Sequence, residues 1–249
     1  MGKNKLQKFA DMKQWAHVYE FAQSDFAHND HELKGHWGEK VFGNNRPIVL
    51  ELGCGKGEYT VGLAEIYPDK NFIGIDIKGS RMWTGARIAQ EKSMTNVAFL
   101  RTHIEFLPHF FAENEIAEIW LTFPDPQMKK TRKRLTSTRF MQDYEAMLCP
   151  GGCIHLKTDS QFMFRYTLAM IEENALPVQY QTFNLYEEGV LLAAQVPNIQ
   201  TFYEKQWLDR GLDIKYVRFG LEHEQPWQEP DVEIEPDEYR SFGRSARVQ

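Results

Sequence analysis

The chain has 249 residues, of which 42% are hydrophobic, 26% charged and 13% aromatic, with a formal net charge of −6. That is enough apolar material for one or two domains with a real core, which excludes global disorder. No apolar run approaches the ~18 residues needed to span a bilayer, and Met-Gly-Lys-Asn-Lys at the start is no secretory signal. The three cysteines (Cys54, Cys149, Cys153) have no CxxC spacing, which suits a reducing cytosol, so a cytoplasmic protein without a membrane anchor is expected.

In chain order, residues 1–45 lack clear periodicity and read as an N-terminal extension, partly flexible and basic at its start (Lys3, Lys5, Lys8, Lys13). Residues 46–221 carry the organised part. Pro47 to Glu51 is a short apolar run ending in a glycine cluster, a buried strand. Gly57 to Tyr67 has helical spacing and stops at Pro68-Asp69. Strands follow at 71–76, 97–100, 116–122 and 153–157, with helices at 80–92, 137–148 and 161–174 between or after them. Two more strands are expected at 178–183 and 214–219, flanking a polar insertion (184–200) and a helix at 201–210. Continuous apolar strands alternating with helices predict an α/β architecture, a parallel sheet with helices on both faces.

Charge is unevenly placed. Residues 222–249 contain eight acids and three Lys/Arg, so this acidic tail carries −5 of the −6 and is expected to be mobile or partner-dependent. Against it stands the run Lys129-Lys130-Thr131-Arg132-Lys133-Arg134. An acidic total therefore leaves a polyanionic partner open, because the local field decides.

The first predicted strand runs into Glu51-Leu52-Gly53-Cys54-Gly55-Lys56-Gly57. Glycines at 53, 55 and 57 let the backbone turn tightly and approach a ligand. A dinucleotide fingerprint needs its third glycine at 58. Glu58 stands there instead, where a pyrophosphate at a helix N-terminus wants only donors. GxGxG behind an acid resembles class I S-adenosylmethionine-dependent methyltransferases. In that resemblance Glu51, Gly53 and Gly55 bind cofactor, the carboxylate suiting its ammonium and sulfonium, and Asp76 takes the ribose hydroxyls. The third strand ends at Leu100-Arg101-Thr102-His103, offering His103 or Thr102 to the adenine.

The fourth organised strand ends in Phe123-Pro124-Asp125-Pro126, where two prolines restrict the loop and aim one carboxylate. A rigid acid followed at once by cations places a reacting group beside a phosphate-binding strip. With Gly2 to Phe9, Lys157-Thr158-Asp159 and Thr201-Phe-Tyr-Glu204, this motif makes residues 2–221 similar to the bacterial tRNA (guanine-N7-)-methyltransferase family, which carries F-P-D-P-W-x-K before basic residues. The resemblance implies a Rossmann-like fold with a mostly parallel seven-stranded sheet. It also implies methyl transfer from S-adenosylmethionine to N7 of a guanosine in tRNA, in the variable loop at position 46 of tRNA numbering.

Carried over residue by residue, Asp125 is catalytic and also near the cofactor, His103 binds cofactor only, and Lys129, Asp159, Thr201 and Glu204 contact substrate. Thr131, Arg132, Lys133, Arg134, Leu135 and Thr136 lie on RNA. Two positions depart from the family: Gln127 replaces the usual Trp, with Phe123 or Trp83 as substitute stacking surfaces, and His103 replaces an acid or Asn. The spacing of His28, Asp30, His31 and His36 fits a polar loop better than a metal site, and no metal is expected. The competing functions are a methyltransferase for another RNA or a small molecule, and a silent RNA-binding module. Monomer and homodimer are both open.

Overall fold

The computed structural model describes residues 3–21 and 30–238; Gly2, His28 and the last eleven residues lie outside them. Eight strands among the described residues form one sheet: β1 (Val18–Glu20), β2 (Ile48–Leu52), β3 (Asn71–Ile75), β4 (Val97–Arg101), β5 (Ile116–Thr122), β6 (Leu148–Thr158), β7 (Val178–Thr182) and β8 (Lys215–Phe219). Their order is β1-β4-β3-β2-β5-β6-β8-β7. β8 runs antiparallel to β6 and β7, and every other pairing is parallel. The count is eight rather than seven. The extra strand is β1, a three-residue edge strand pairing Val18 with Phe99, too short to carry a periodicity.

The helices are α1 (Lys3–Met12), α2 (Glu58–Ile66), α3 (Gly79–Glu91), α4 (Thr138–Met147), α5 (Gln161–Glu173), α6 (Val190–Ala194) and α7 (Phe202–Leu208). Strand residues alternate between two cores, as a period of two requires. Leu50, Leu52, Ile73, Ile75, Leu121 and Leu156 pack under α4 and α5. Val49, Phe72, Phe99, Trp120 and Tyr216 face α2, α3 and α6 on the other side. Glu51, Thr122 and Lys157 therefore belong to this second face, at the carboxyl ends of their strands.

The order of strands reverses between β2 and β5, the switch point where open α/β sheets bind ligands. Register pairs Leu52 with Leu121 and Thr122 with Lys157, so β2, β5 and β6 end at one level. β6 starts earlier than expected: Leu148 pairs with Ile116, and the Pro150-Gly151-Gly152 turn is absorbed as an irregularity between two stretches of pairing.

The acidic segment is described through Glu238, and it packs against the domain. Glu222 accepts from Gly151 N at 3.2 Å, Trp227 Nε1 donates to Glu145 at 2.9 Å, and Gln228 exchanges hydrogen bonds with Asn174. At the other end of the chain, α1 lies on α3. Phe9 and Met12 crowd Gly79, and Arg101 stacks over the Phe9 ring at 4.8 Å.

Candidate active site

Glu51 closes β2 and is 3% exposed. Its Oε2 accepts from Thr60 N at 2.8 Å and from the Thr60 hydroxyl, and its Oε1 accepts from the Thr122 hydroxyl at 2.6 Å. A carboxylate offers about four lone-pair positions, so three are filled and one remains. Burial pushes the Glu51 carboxyl up to about 7; the three hydrogen bonds oppose that rise and the nearby Asp76 charge adds to it. A cation placed at the open position reverses this preference. That is the environment an ammonium or sulfonium ligand needs.

The loop after Glu51 is built for close approach. Gly53 has φ +78, where a side chain is strained, and a Cβ there would meet nothing within 4 Å. The space above it is an open cradle. Gly57 is glycine for a different reason: its Cβ would sit 2.7 Å from the Phe99 ring. Asp76 ties this loop to β3, its Oδ2 accepting from Gly55 N at 3.0 Å and its Oδ1 from Lys78 N at 2.8 Å. Each oxygen keeps a further acceptor position, suited to a pair of hydroxyls. Beside Asp76, Ile77 is a large apolar side chain left 45% exposed. It borders a cleft of about 490 Å³ lined also by Phe21, Arg101, Thr102, His103 and Phe106. A carboxylate open to a cation and a second one open to hydroxyls are the charges that S-adenosylmethionine calls for.

Asp125 leaves the neighbouring strand end. Thr122, bonded to Glu51, is three residues away, so the two α-carbons lie within roughly 11 Å. The loop is tightly bent: Phe123 and Gln127 both have positive φ (51° and 46°), unusual for residues with side chains. Phe123 N donates to Lys157 O at 2.8 Å, and Gln127 N donates to Asp125 Oδ1 at 3.1 Å. Backbone bent this way on both sides of an exposed acid is a common mark of a working loop.

A third element reaches the same place from α7. Phe202 N donates to Glu58 Oε2 at 3.1 Å, and Lys56 Nζ lies 3.9 Å over the Phe202 ring, so α7 begins against the glycine loop. Thr201 and Glu204 form a capping box. Glu204 Oε1 also accepts from Lys157 Nζ at 2.8 Å and from Tyr186 OH at 2.6 Å.

A family model described as "Putative methyltransferase" matches residues 45–217. Over 247 residues the chain is 60% identical to a tRNA (guanine-N(7)-)-methyltransferase of Bacteroides thetaiotaomicron, covering 99% of this chain and 97% of the relative. A protein of the same name from Porphyromonas gingivalis is 56% identical, covering 96% and 98%. The chain belongs to the tRNA (guanine-N(7)-)-methyltransferase family. Among solved structures, the 16S rRNA methyltransferase KamB superposes with a TM-score of 0.57 at 15% identity, covering 76% of this chain and 94% of that one. An antibiotic-related methyltransferase gives 0.52 at 17% identity, covering 72% and 89%. At such identities these two speak for the fold alone, a class I methyltransferase sheet.

With the family known, the sequence-derived residues sort into three groups. Glu51, Gly53, Gly55 and Asp76 belong to the glycine loop and its anchors, and His103 lines the neighbouring cleft. Lys129, Arg132 and Lys133 are exposed, Lys133 pairing with Glu105 at 3.2 Å; Thr131 and Leu135 are half-buried. Arg134, Thr136, Asp159, Thr201 and Glu204 are buried, and Asp125 stands apart as an exposed acid. Arg134 donates to Met128 O at 3.0 Å and Gln127 O at 3.4 Å, and stacks over Phe162 and Tyr166. It braces the Asp125 loop from behind. Thr136 shares a hydrogen bond with Thr167, inside the α5 packing.

Trp83 is covered by α1, donating to Asp11 at 2.9 Å with Lys8 at 4.5 Å over its ring. Phe123, half-buried next to Asp125, is left as the aromatic group near the loop. Of the polar-loop histidines, His31 packs on Phe21 at 3.9 Å. Sequence reasoning overlooked Thr60 and Thr122, the hydroxyls that orient Glu51. A threonine just inside each flanking element was the signal available.

Proposed function

We propose that this chain transfers the methyl group of S-adenosylmethionine to N7 of a guanosine in tRNA, with the variable loop as the site of modification. The observation that carries the reading is the hydrogen-bonded junction of Glu51 with Thr122. It joins the cofactor cradle to the loop bearing Asp125. When bound in the cradle, S-adenosylmethionine supplies an electrophilic methyl on a sulfonium.

Guanine N7 has an in-plane lone pair, so this chain needs no general base. What it must do is position the base in line and keep water away. Asp125, held by Gln127 N and by the two prolines, accepts from guanine N1–H and the exocyclic amine. Its negative charge also stabilises the positive charge that develops on the purine as N7 becomes alkylated. The beginning of α7, fastened to Glu58 and Lys157, closes the other side. Asp159 and Glu204 are assigned to supporting that closure from below, since both are buried. Lys129, Lys130, Arg132 and Lys133 supply cations for the RNA backbone, which makes binding salt-sensitive.

The test is incubation of the protein with methyl-labelled cofactor and unmodified tRNA, followed by chemical cleavage at 7-methylguanosine. One cleavage in the variable loop is expected. Label appearing in another RNA, at another base or in a small molecule overturns the substrate assignment.

A further inference from the structure

The segment beyond Leu221 belongs to no motif that the family resemblance explains, yet it reaches the edge of the site. Glu229 caps α4, its Oε2 accepting from the Thr138 hydroxyl at 2.7 Å and from Thr138 N at 3.3 Å. Its other oxygen accepts from Tyr166 OH, one of the two rings on which Arg134 stacks. The chain then runs along α5, bordering a cleft of about 880 Å³, and ends the described part at Asp237 and Glu238.

Asp237 is 5% exposed, although it comes from the most acidic stretch of the chain. Its Oδ1 accepts from Phe162 N at 3.0 Å and its Oδ2 from the Ser160 hydroxyl. Ser160 is the residue capping α5, and its oxygen in turn accepts from Met163 N at 2.9 Å. Asp237 thus completes a helix cap from 77 residues away. A carboxylate suits this position because the first turn of a helix presents unpaired N–H groups and partial positive charge. Immediately before that cap is Asp159, whose carbonyl accepts from Lys215 Nζ at 3.0 Å. Burial lowers the Lys215 ammonium below its ordinary value, opposed by the charges of Asp159, Asp213 and Asp237.

We propose that the C-terminal acidic segment is a working part of the substrate edge, with Asp237 as a positioning residue that holds the Asp159–Ser160 turn in place. This rests on the assignment of Asp125 to the tRNA side of the site and of Asp159 to the support beneath it. Arg134, which holds the carbonyls of Gln127 and Met128, stacks over both Phe162 and Tyr166 at the start of α5. Asp237 fastens Phe162 through its backbone N–H, and Glu229 fastens Tyr166 through its hydroxyl.

The experiment compares Asp237→Ala, Asp237→Asn and Glu235→Gln in the full chain. Glu235 is an exposed acid two residues away, so its variant removes the same charge without touching the cap. Three readouts are taken: kcat/KM for tRNA, affinity for S-adenosylhomocysteine, and amide hydrogen exchange at residues 160–163 in the free protein. Loss of the cap is expected to lower tRNA kcat/KM by about tenfold or more in Asp237→Ala, with an intermediate loss in Asp237→Asn, which keeps an acceptor for Phe162 N. Exchange at 160–163 rises in parallel, cofactor affinity stays within about twofold, and Glu235→Gln matches wild type on all three.

Wild-type tRNA kinetics in Asp237→Ala overturn the proposal, as does unchanged exchange at 160–163. A proportionate loss of cofactor affinity and turnover also overturns it, because that marks a merely structural staple. If Asp237→Ala does not fold, Asp237→Asn carries the same comparison. A wild-type protein that fails to methylate tRNA removes the functional reading instead, and the exchange measurement still decides whether Asp237 holds the turn.

Discussion

Lys157 and Glu204 meet at 2.8 Å with neither side chain exposed to solvent. The pair joins the end of β6 to α7 directly beneath the site. Lys157 donates also to Ile199 O at 3.0 Å and Tyr186 OH at 3.2 Å, and its own carbonyl accepts from Phe123 N. Burial pulls the Lys157 ammonium below its ordinary value, opposed first by the Glu204 charge and then by that of Glu51. One residue thereby fixes two walls of the site, the Asp125 loop through its backbone and α7 through its side chain.

Removing one partner should cost far more than removing both. Lys157→Met leaves a buried carboxylate without a counter-charge, and a loss of about 3–5 kcal/mol is expected. Combining it with Glu204→Gln removes both charges while keeping a side chain that can complete the capping box, and should recover most of the loss. Denaturant unfolding of the two single variants and the double variant checks this. Additive losses would mean that the pair is not coupled.

Glu51 makes cofactor binding depend on pH. Its carboxyl is raised from 4.5 to about 7, so in the free protein the neutral form is favoured by the fold. That contribution to stability is complete below the unfolded value and is lost as pH rises through about 7. A bound cationic ligand prefers the ionised form, so binding releases a proton at low pH. Affinity for S-adenosylmethionine should therefore strengthen with pH by up to about tenfold per unit below neutrality and level off above it. Calorimetric titrations from acid to neutral pH should show this slope in the wild type and a flat, weaker response in Glu51→Gln. Equal slopes would locate the titration elsewhere.

The basic run divides into cations that face solvent and one that does not. Replacing Lys129, Lys130 and Arg132 together should reduce the dependence of log tRNA affinity on log salt by about 2–3, one counterion for each lost phosphate contact. Arg134→Lys retains the charge but loses the planar group that spans Gln127 O, Met128 O and two rings. It should leave the salt slope unchanged and lower turnover. Nitrocellulose binding across a salt series, alongside single-turnover rates, separates the two effects.

The division also explains what could be read from the residue order. Local patterns were legible: a strand ending in Glu51 and three glycines, a second ending before Asp76, and Phe123 to Pro126 aiming one acid. Each depends on residues within a few positions of one another. Lys129 to Arg134 looked like one cationic strip because a linear run does not reveal which side chains fold back. Arg134 is turned inward by Phe162 and Tyr166, which follow it by 28 and 32 positions. Glu204, Asp159 and Asp237 are similarly defined by partners 47 to 77 residues away. The acidic segment resembled an unstructured tail by composition, since Asp237 differs from its acidic neighbours only in what it meets. β1 is three residues long, below the length at which alternation can be detected.

Asp125 offers the sharpest separation of structure from chemistry. Its side chain is exposed, and one oxygen holds the turn through Gln127 N at 3.1 Å. Asp125→Ala would remove both the charge and this turn, so a loss of rate could come from either. Asp125→Asn keeps one acceptor oxygen for the turn and replaces the other, together with the charge, by an amide NH2 that only donates. Stability should stay within about 0.5 kcal/mol of wild type, as for other exposed substitutions. Cofactor affinity should also hold, because Glu51 and Asp76 provide the charged contacts there. The rate of methyl transfer should nevertheless fall by about 10²–10³, the usual cost of deleting a charge aimed at the reacting centre. Near wild-type single-turnover rates in Asp125→Asn would mean that neither the negative charge nor the second acceptor oxygen is needed there. Asp125 would then shape the loop without stabilising the charge that alkylation creates.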